Sequence, residues 1–253
     1  MTGCSARTQC LESLRAQVAR VAAVTRTADA LPFGLAALDE RLQDHGLSRG
    51  ALHDLAPAAP CLADDAATTL FTAGVVARLA QQGGSVLWAV SRFDLYGPGL
   101  EQAGLAPDRV IFVEARDDTM VLAAMEDALR HGTLAAVVGE VRRAGMTATR
   151  RLQLAAAETG TPALLFRRWR KAGQCPLAEP SAAVTRWRVG CAPSLPGAAG
   201  LTRARWSVEL ARQRGGDPFS IIVEACDAQG RLALPAAAVD RAAAPERAAA
   251  RAA

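Results

Sequence analysis

Short apolar runs alternate with longer amphipathic stretches through the middle of the chain. Residues 51–55, SVLWAVS (85–91), RVIFVEA (109–115), TLAAVVGEV (133–141) and TPALLFRR (161–168) read as buried strands. Between them, 64–82, a short piece at 96–103, DDTMVLAAMEDALRHG (117–132) and MTATRRLQLAAAETG (146–160) read as helices. The third of these carries its acidic residues in the first turn, where they suit the helix dipole. Strands this apolar, each followed by a helix, predict a parallel sheet covered on both faces.

The pattern differs at the two ends. Residues 11–24, LESLRAQVARVAAV, place Leu11, Leu14, Val18 and Val21 on one face of a predicted amphipathic helix. After a Pro- and Gly-bearing stretch at 171–182 the period becomes two. AVTRWRVG, then TRARWSVELARQR with Ala204, Trp206, Val208 and Leu210 on one face, then PFSIIVEACDAQGRLAL with a turn at Gln229-Gly230, predict antiparallel strands on one edge of the sheet. The Ala/Arg run at 236–253 is low-complexity. The expected organisation is an N-terminal helix and linker (1–30), an α/β core (31–235) and a tail (236–253), without internal repeats.

Composition narrows the class. A chain of 253 residues with 51% hydrophobic and 21% charged positions supports one sizeable soluble domain. No apolar run approaches the roughly 18 residues of a membrane span, and the N-terminus lacks a secretory apolar region, so a cytoplasmic protein is expected. Six scattered cysteines without a C-x-x-C pair argue against a zinc site or a disulfide framework. The histidines, His45, His53 and His131, are isolated. Of 29 basic side chains only Lys171 is a lysine, a bias that fits a GC-rich genome, so clustering rather than arginine content is informative.

A phosphate-binding loop belongs between the first core strand and its helix. Such a loop needs glycines, so that backbone N–H groups wrap the phosphates, and a lysine for the terminal charge. Residues 56–69, APAAPCLADDAATT, have neither; they carry Asp64 and Asp65, whose charges would repel a triphosphate by about several kcal/mol. Thr68-Thr69 retain a hydroxyl of the metal-binding type. The strand AAVVGEV ends in Gly139 and Glu140 where a nucleotide hydrolase holds its metal through an aspartate. Glu140 is expected as a strand-end surface residue or partner contact, with a catalytic carboxylate as the alternative. Asp64 or Asp65 is expected to cap the helix, a contribution of about 0.3–1 kcal/mol.

Three stretches, in order, resemble the RecA-type recombinase core over about 31–234: LPFGLAALDERLQDHGLSRGALHDLAP, the strand LAAVVGEV, and RWSVELARQRGGDPFSIIVEA. Within that class, the acidic helix start, VVGEV and ELARQRGGDPF are similar to the ImuA-type proteins of bacterial inducible mutagenesis cassettes. The resemblance implies a RecA-like three-layer sandwich with a mostly parallel central sheet and antiparallel C-terminal strands. It also implies a non-enzymatic accessory factor without cofactor or metal, acting in SOS-type translesion synthesis and associating with the nucleoid on damage. The implied partners are a Y-family-like polymerase homologue and an error-prone replicative-type polymerase, with RecA and single-stranded DNA as further candidates. Two rival readings stand beside it: a divergent ATPase using Thr68, Thr69 and Glu140, and a damage-induced regulator of recombination or cell division.

The densest charge lies at 140–173, where Arg142, Arg143, Arg150, Arg151, Arg167, Arg168, Arg170 and Lys171 face only Glu140 and Glu158. In FRRWRK, aromatic Phe166 and Trp169 interleave with cations, as backbone neutralisation and base stacking require. An acidic protein surface is the next reading, and after it a solvated face with Phe166 in the core and Trp169 covering the domain edge. Arg142, Arg143, Arg167, Arg168, Trp169, Arg170 and Lys171 are therefore candidate binding residues at the C-terminal edge of the sheet. Arg212 and Arg214 sit where recombinases, by the same resemblance, reach across a subunit interface; partner docking or an ion pair with Asp217 is expected of them. Trp187 and Trp206 are candidates for the core or for an interface.

Overall fold

The computed structural model of the chain describes residues 30–169, 171–194 and 203–235. The helix expected at 11–24, the tail, and Arg170 lie outside the described residues.

Among the described residues, ten strands and five helices follow in order. A two-residue pair, β1 (Ala30–Leu31) and β2 (Leu47–Ser48), brackets α1 (Ala36–Asp39). The core then alternates β3 (Leu52–Pro57), α2 (Leu62–Ala80), β4 (Val86–Val90), α3 (Gly97–Gln102), β5 (Val110–Glu114), α4 (Asp118–His131), β6 (Ala136–Val141), α5 (Met146–Thr159) and β7 (Ala163–Arg167). It closes with β8 (Thr185–Ala192), β9 (Arg205–Gln213) and β10 (Phe219–Glu224). The helices end where expected: α4 and α5 each stop at a left-handed residue, Gly132 and Gly160, a conformation that glycine adopts without a Cβ penalty.

One eight-stranded sheet runs β10-β9-β8-β3-β7-β6-β4-β5. Six neighbouring strands, β8 to β5, are parallel, and β9 and β10 add antiparallel pairs on one side. The predicted α/β class with antiparallel C-terminal strands is what forms, with one correction. β8 lies parallel beside β3, reached by a crossover through the loop after β7 that contains a single 3₁₀ turn. Its period of two suggests a half-exposed antiparallel strand, but its polar Arg186 points into an interior ion pair.

The two faces are packed separately. Phe71 and Val76 of α2 cover one face together with Trp88, Trp187 and Trp206, so both candidate interface tryptophans are core residues. Met125 and Leu129 of α4 and Leu152 of α5 cover the other face over Leu52, Val137 and Leu165. Gly139 is where α4 presses on the sheet: a Cβ there would lie 2.2 Å from Met125 Sδ. The glycine of VVGEV therefore serves packing.

A buried charge cluster fastens β3 to both neighbours. Asp54 is paired across the sheet with Leu165 and Arg186, and its Oδ2 lies 3.0 Å from Arg167 Nε and 3.3 Å from Arg186 Nε. Burial pushes the Asp54 carboxyl up, and the two guanidinium groups pull against it. Arg167 also contacts Glu179 at 3.5 Å and donates to Ala144 O. On the opposite face of β3, buried His53 bridges Ser48 O and Thr185 Oγ1, and the Trp187 indole N–H donates to the same hydroxyl. Burial lowers the His53 pKa to about 4.

Candidate functional site

The C-terminal ends of β4, β6 and β7 and the start of α2 open into a cleft of about 310 Å³ lined by Leu62, Asp65, Asp94, Glu140, Arg168 and Trp169 among others. It lies at the carboxyl edge of the parallel strands, the usual ligand position in an open α/β sheet. Its centre is Arg168. The guanidinium donates to Glu140 Oε2 through Nε (2.8 Å) and NH2 (2.5 Å), and lies 3.6 Å from both Asp65 and Asp94. It also sits 4.5 Å from the centre of the Phe166 ring. Burial lowers the basicity of Arg168, but the carboxylates more than offset this and raise it. The other Glu140 oxygen accepts the buried Trp88 indole N–H at 2.8 Å. Burial pushes the Glu140 carboxyl up, against the pull of Arg168. The surface position expected for Glu140 is thus corrected: it is a buried, doubly bonded carboxylate.

The turn between β3 and α2 is folded inward. Ala58 N–H donates to Val189 O, Cys61 N–H to Ala59 O, and Ala59 N–H to Asp64 Oδ2. The second Asp64 oxygen accepts Cys191 N–H at 2.8 Å. The residue at the N-cap of α2 is Cys61; Asp64 is the third helical residue and reaches back over the turn rather than capping in the ordinary way. A Cβ on Gly190 would lie 2.8 Å from Ala58 Cβ and 3.1 Å from Asp64, so the turn packs directly on β8. The amides of Ala58, Ala59 and Cys61 are thus engaged by the protein itself. The Thr68 hydroxyl is fully buried and donates to Asp64 O and Val189 O, and the Thr69 hydroxyl donates to Asp65 O. The two threonine hydroxyls are thus bonded to backbone carbonyls, and Glu140 to Arg168 and Trp88.

The cationic candidates divide into three groups. Arg167 is 1% exposed and belongs to the Asp54 cluster, which corrects its expected surface role; consecutive strand residues face opposite sides. Arg168 is committed to the cleft, and the Trp169 indole N–H donates to Pro57 O, tying the end of β7 to the end of β3. Arg142, Arg143 and Lys171 are exposed. The backbone N–H groups of Arg142 and Arg143 both donate to Asp118 Oδ2, which leaves the two side chains on an open groove of about 620 Å³. Arg92 and Arg116 line the same groove. Sequence reasoning missed these two because they stand alone in the chain. Their signal is positional: an arginine follows within two residues the end of β4, β5, β6 and β7. Arg212 and Arg214 are elsewhere, beside Arg150 and Leu154 of α5 at the opposite edge of the sheet. Among the described residues no group of three or more His, Cys, Asp or Glu is arranged to hold a metal, and no helix is long and apolar enough to cross a membrane.

Comparison with known proteins places this arrangement. The family model for the cell division inhibitor SulA matches residues 63–163, less than half of the chain. Among solved structures, the RadB recombinase superposes with a TM-score of 0.55 at 16% identity, covering 81% of this chain and 99% of that one, a likeness of fold. The Protein ImuA sequences from two strains of Caulobacter vibrioides, NA1000 and ATCC 19089, are each 37% identical over 205 residues, 78% of this chain and 84% of theirs. With that identity over that length, on a RecA-like sheet whose strand ends are laid out as described, the chain belongs to the ImuA family.

Proposed function

We propose that this protein is a non-catalytic accessory factor of damage-induced mutagenesis, in which the former nucleotide position has become a fixed part of the fold. The observation that carries this reading is Arg168, held by Glu140, Asp65 and Asp94 in the cleft beside an inward-folded turn. A nucleotide would have to break those pairs and bring its phosphates against three carboxylates, at a cost of about several kcal/mol. The divergent-ATPase reading would have to free Thr68, Thr69 and Glu140 from the hydrogen bonds they make within the fold. The polymerase homologue and the error-prone polymerase of the cassette are the partners this reading expects, with RecA as a further one.

In the same reading the groove of Arg92, Arg142 and Arg143 holds the backbone of single-stranded DNA. Replacing all three with Ala is expected to weaken binding and to flatten its salt dependence by about 0.7 log units for each phosphate no longer neutralised. Fluorescence anisotropy at several salt concentrations measures both. An unchanged slope would remove DNA from this groove and favour an acidic protein surface there. Substituting Arg167 or Arg168 instead would disturb the core and the cleft, so those residues are unsuited to the test.

Damage-induced mutation frequency tests the biological role. Cells deleted for the gene should lose induced mutagenesis and regain it with the wild-type chain; an unaffected frequency overturns the proposal. The SulA match favours a second reading, a regulator of division. Overproduction without damage discriminates the two, because a division inhibitor gives filaments and a mutagenesis accessory factor does not.

A further inference from the structure

On the face of the sheet that α4 and α5 cover, a trough of about 520 Å³ lies between α5 and the end of β9. One wall is the helix. Met146, Arg150, Gln153, Leu154 and Ala157 recur at three- and four-residue spacing and share one side of it. The other wall is Arg212 and Arg214, held in place by the pairing of Arg212 with Arg186 and by the Arg214 N–H bond to Val184 O. The floor is the segment Ser181, Ala182 and Ala183, tied to the helix by the Ala182 N–H bond to Thr149 Oγ1. Gln153 accepts the Leu52 N–H, which ties the helix to β3. Both walls are therefore fixed, and the small side chains of the floor keep the trough open.

The chemistry of the lining is one-sided. Arg150, Arg212 and Arg214 are exposed, and among the described residues none of them pairs with a carboxylate; the bond to Asp217 expected of the last two does not form. Of the described residues that line the trough, none is Asp or Glu. Arg186, next to Arg212, is committed to Asp54 inside the sheet. Beside the three cations stand two apolar side chains in water: Leu154 is 64% exposed and Met146 40%. Cations without an internal partner, set among exposed apolar groups on fixed walls, complement carboxylates and apolar side chains carried together. A nucleic acid fits less well. The lining has no aromatic ring on which a base could stack, and phosphates gain nothing from Leu154 or Met146. Nor do the ends of this chain match the trough. Residues 1–29 carry four arginines against Glu12 and Asp29, and residues 236–253 three against Asp240 and Glu246, so both are net cationic like the trough itself.

We propose that the trough between α5 and β9 docks an acidic, amphipathic segment of a partner protein. Its apolar side chains lie along Leu154 and Met146, and its carboxylates meet Arg150 on one wall and Arg212 and Arg214 on the other. From Met146 to Ala157 the helix wall is about 16 Å long, enough for about three turns of a partner helix to lie along it. The proposal rests on the accessory-factor reading for the existence of a partner. It is tested on the purified protein, however, whereas that reading is tested by induced mutation frequency.

Fluorescence anisotropy of the full chain with a labelled peptide of about 18 residues tests this, the peptide carrying leucine at three- and four-residue spacing and glutamate on the flanks. The wild type is expected to bind it with a dissociation constant of about 10–100 μM. Counterpart peptides with every glutamate or every leucine replaced by glutamine should each bind about tenfold more weakly. The combined Arg150→Glu, Arg212→Glu and Arg214→Glu variant should lose the peptide and instead bind its lysine-flanked counterpart. Ala157→Trp, which fills the trough without changing its charge, should weaken binding about tenfold, and Leu154→Gln should weaken it about threefold. Circular dichroism checks that each variant keeps the fold. A wild type that does not bind the peptide overturns the proposal, as does binding that survives the charge exchange, or that neither Ala157→Trp nor Leu154→Gln weakens. Tighter binding of an oligothymidylate of the same length, lost in the charge-exchange variant, also overturns it and assigns the trough to nucleic acid.

Discussion

Asp54→Asn is expected to destabilise the fold by about 3–5 kcal/mol, the scale of breaking a buried ion pair from one side. The side chain keeps its size, so packing changes little and the loss is electrostatic. Arg167 and Arg186, with Nε atoms 3.0 and 3.3 Å from the same carboxylate oxygen, would be left as neighbouring buried cations with only Glu179, 3.5 Å from Arg167, to balance them. The three residues lie on adjacent strands, so the cluster fastens β8 to the parallel sheet where no helix covers the crossover. Urea unfolding followed by circular dichroism measures the effect. A loss below about 1 kcal/mol, the value of an exposed pair, would mean that water reaches the cluster. Replacing all three residues with apolar ones of similar volume should recover much of the stability, because the desolvation cost of the charges disappears with them.

His53 is expected to make stability fall by about 3 kcal/mol between pH 7 and pH 4. In the fold its Nε2–H donates to Ser48 O and its Nδ1 accepts from the Thr185 hydroxyl, which itself receives the Trp187 N–H. Protonating Nδ1 would set a second donor against that hydroxyl, in a site where burial already lowers the pKa to about 4 despite the raising effects of the Ser48 carbonyl and Asp44. The unfolded side chain titrates near 6.5. Between about pH 6.5 and 4 the unfolded chain binds a proton that the folded chain refuses, so stability present above that window is lost on acidification. Buried carboxyls with raised pKa values, such as Glu140, act in the opposite sense, so the His53 contribution must be isolated. The wild-type advantage over His53→Gln should shrink by about 3 kcal/mol from pH 7 to pH 4. An advantage that does not change with pH contradicts the assigned neutral tautomer.

Much of the architecture is legible in the sequence because apolar runs and helical periods repeat faithfully from β3 to β7. Strand direction is less so. β8 alternates like an antiparallel edge, yet its polar residues are there because Arg186 serves Asp54 inside the sheet, an ion pair whose partners are far apart in the chain. The charge cluster misleads for a related reason. FRRWRK is one patch in sequence, but the backbone turns Arg167 towards one layer and Arg168 towards the other, and each finds a carboxylate. The exposed groove is instead assembled from β4, β5 and β6 ends, which topology brings together and spacing does not show. The acidic pair at the start of α2 is readable as a departure from a phosphate loop; that Asp64 binds the Cys191 amide and Asp65 faces Arg168 requires the fold.

Whether the cleft around Arg168 accepts nucleotide decides between an adaptor and a nucleotide-driven protein. Calorimetric titration of the purified chain with ATP and Mg²⁺, with and without single-stranded DNA, answers this directly. No heat of binding with about 100 μM protein is expected, since a ligand that must displace Arg168 from three carboxylates gains too little to reach even millimolar affinity. Micromolar binding would contradict the adaptor reading, and would mean that Arg168 leaves Glu140 to make room for phosphate.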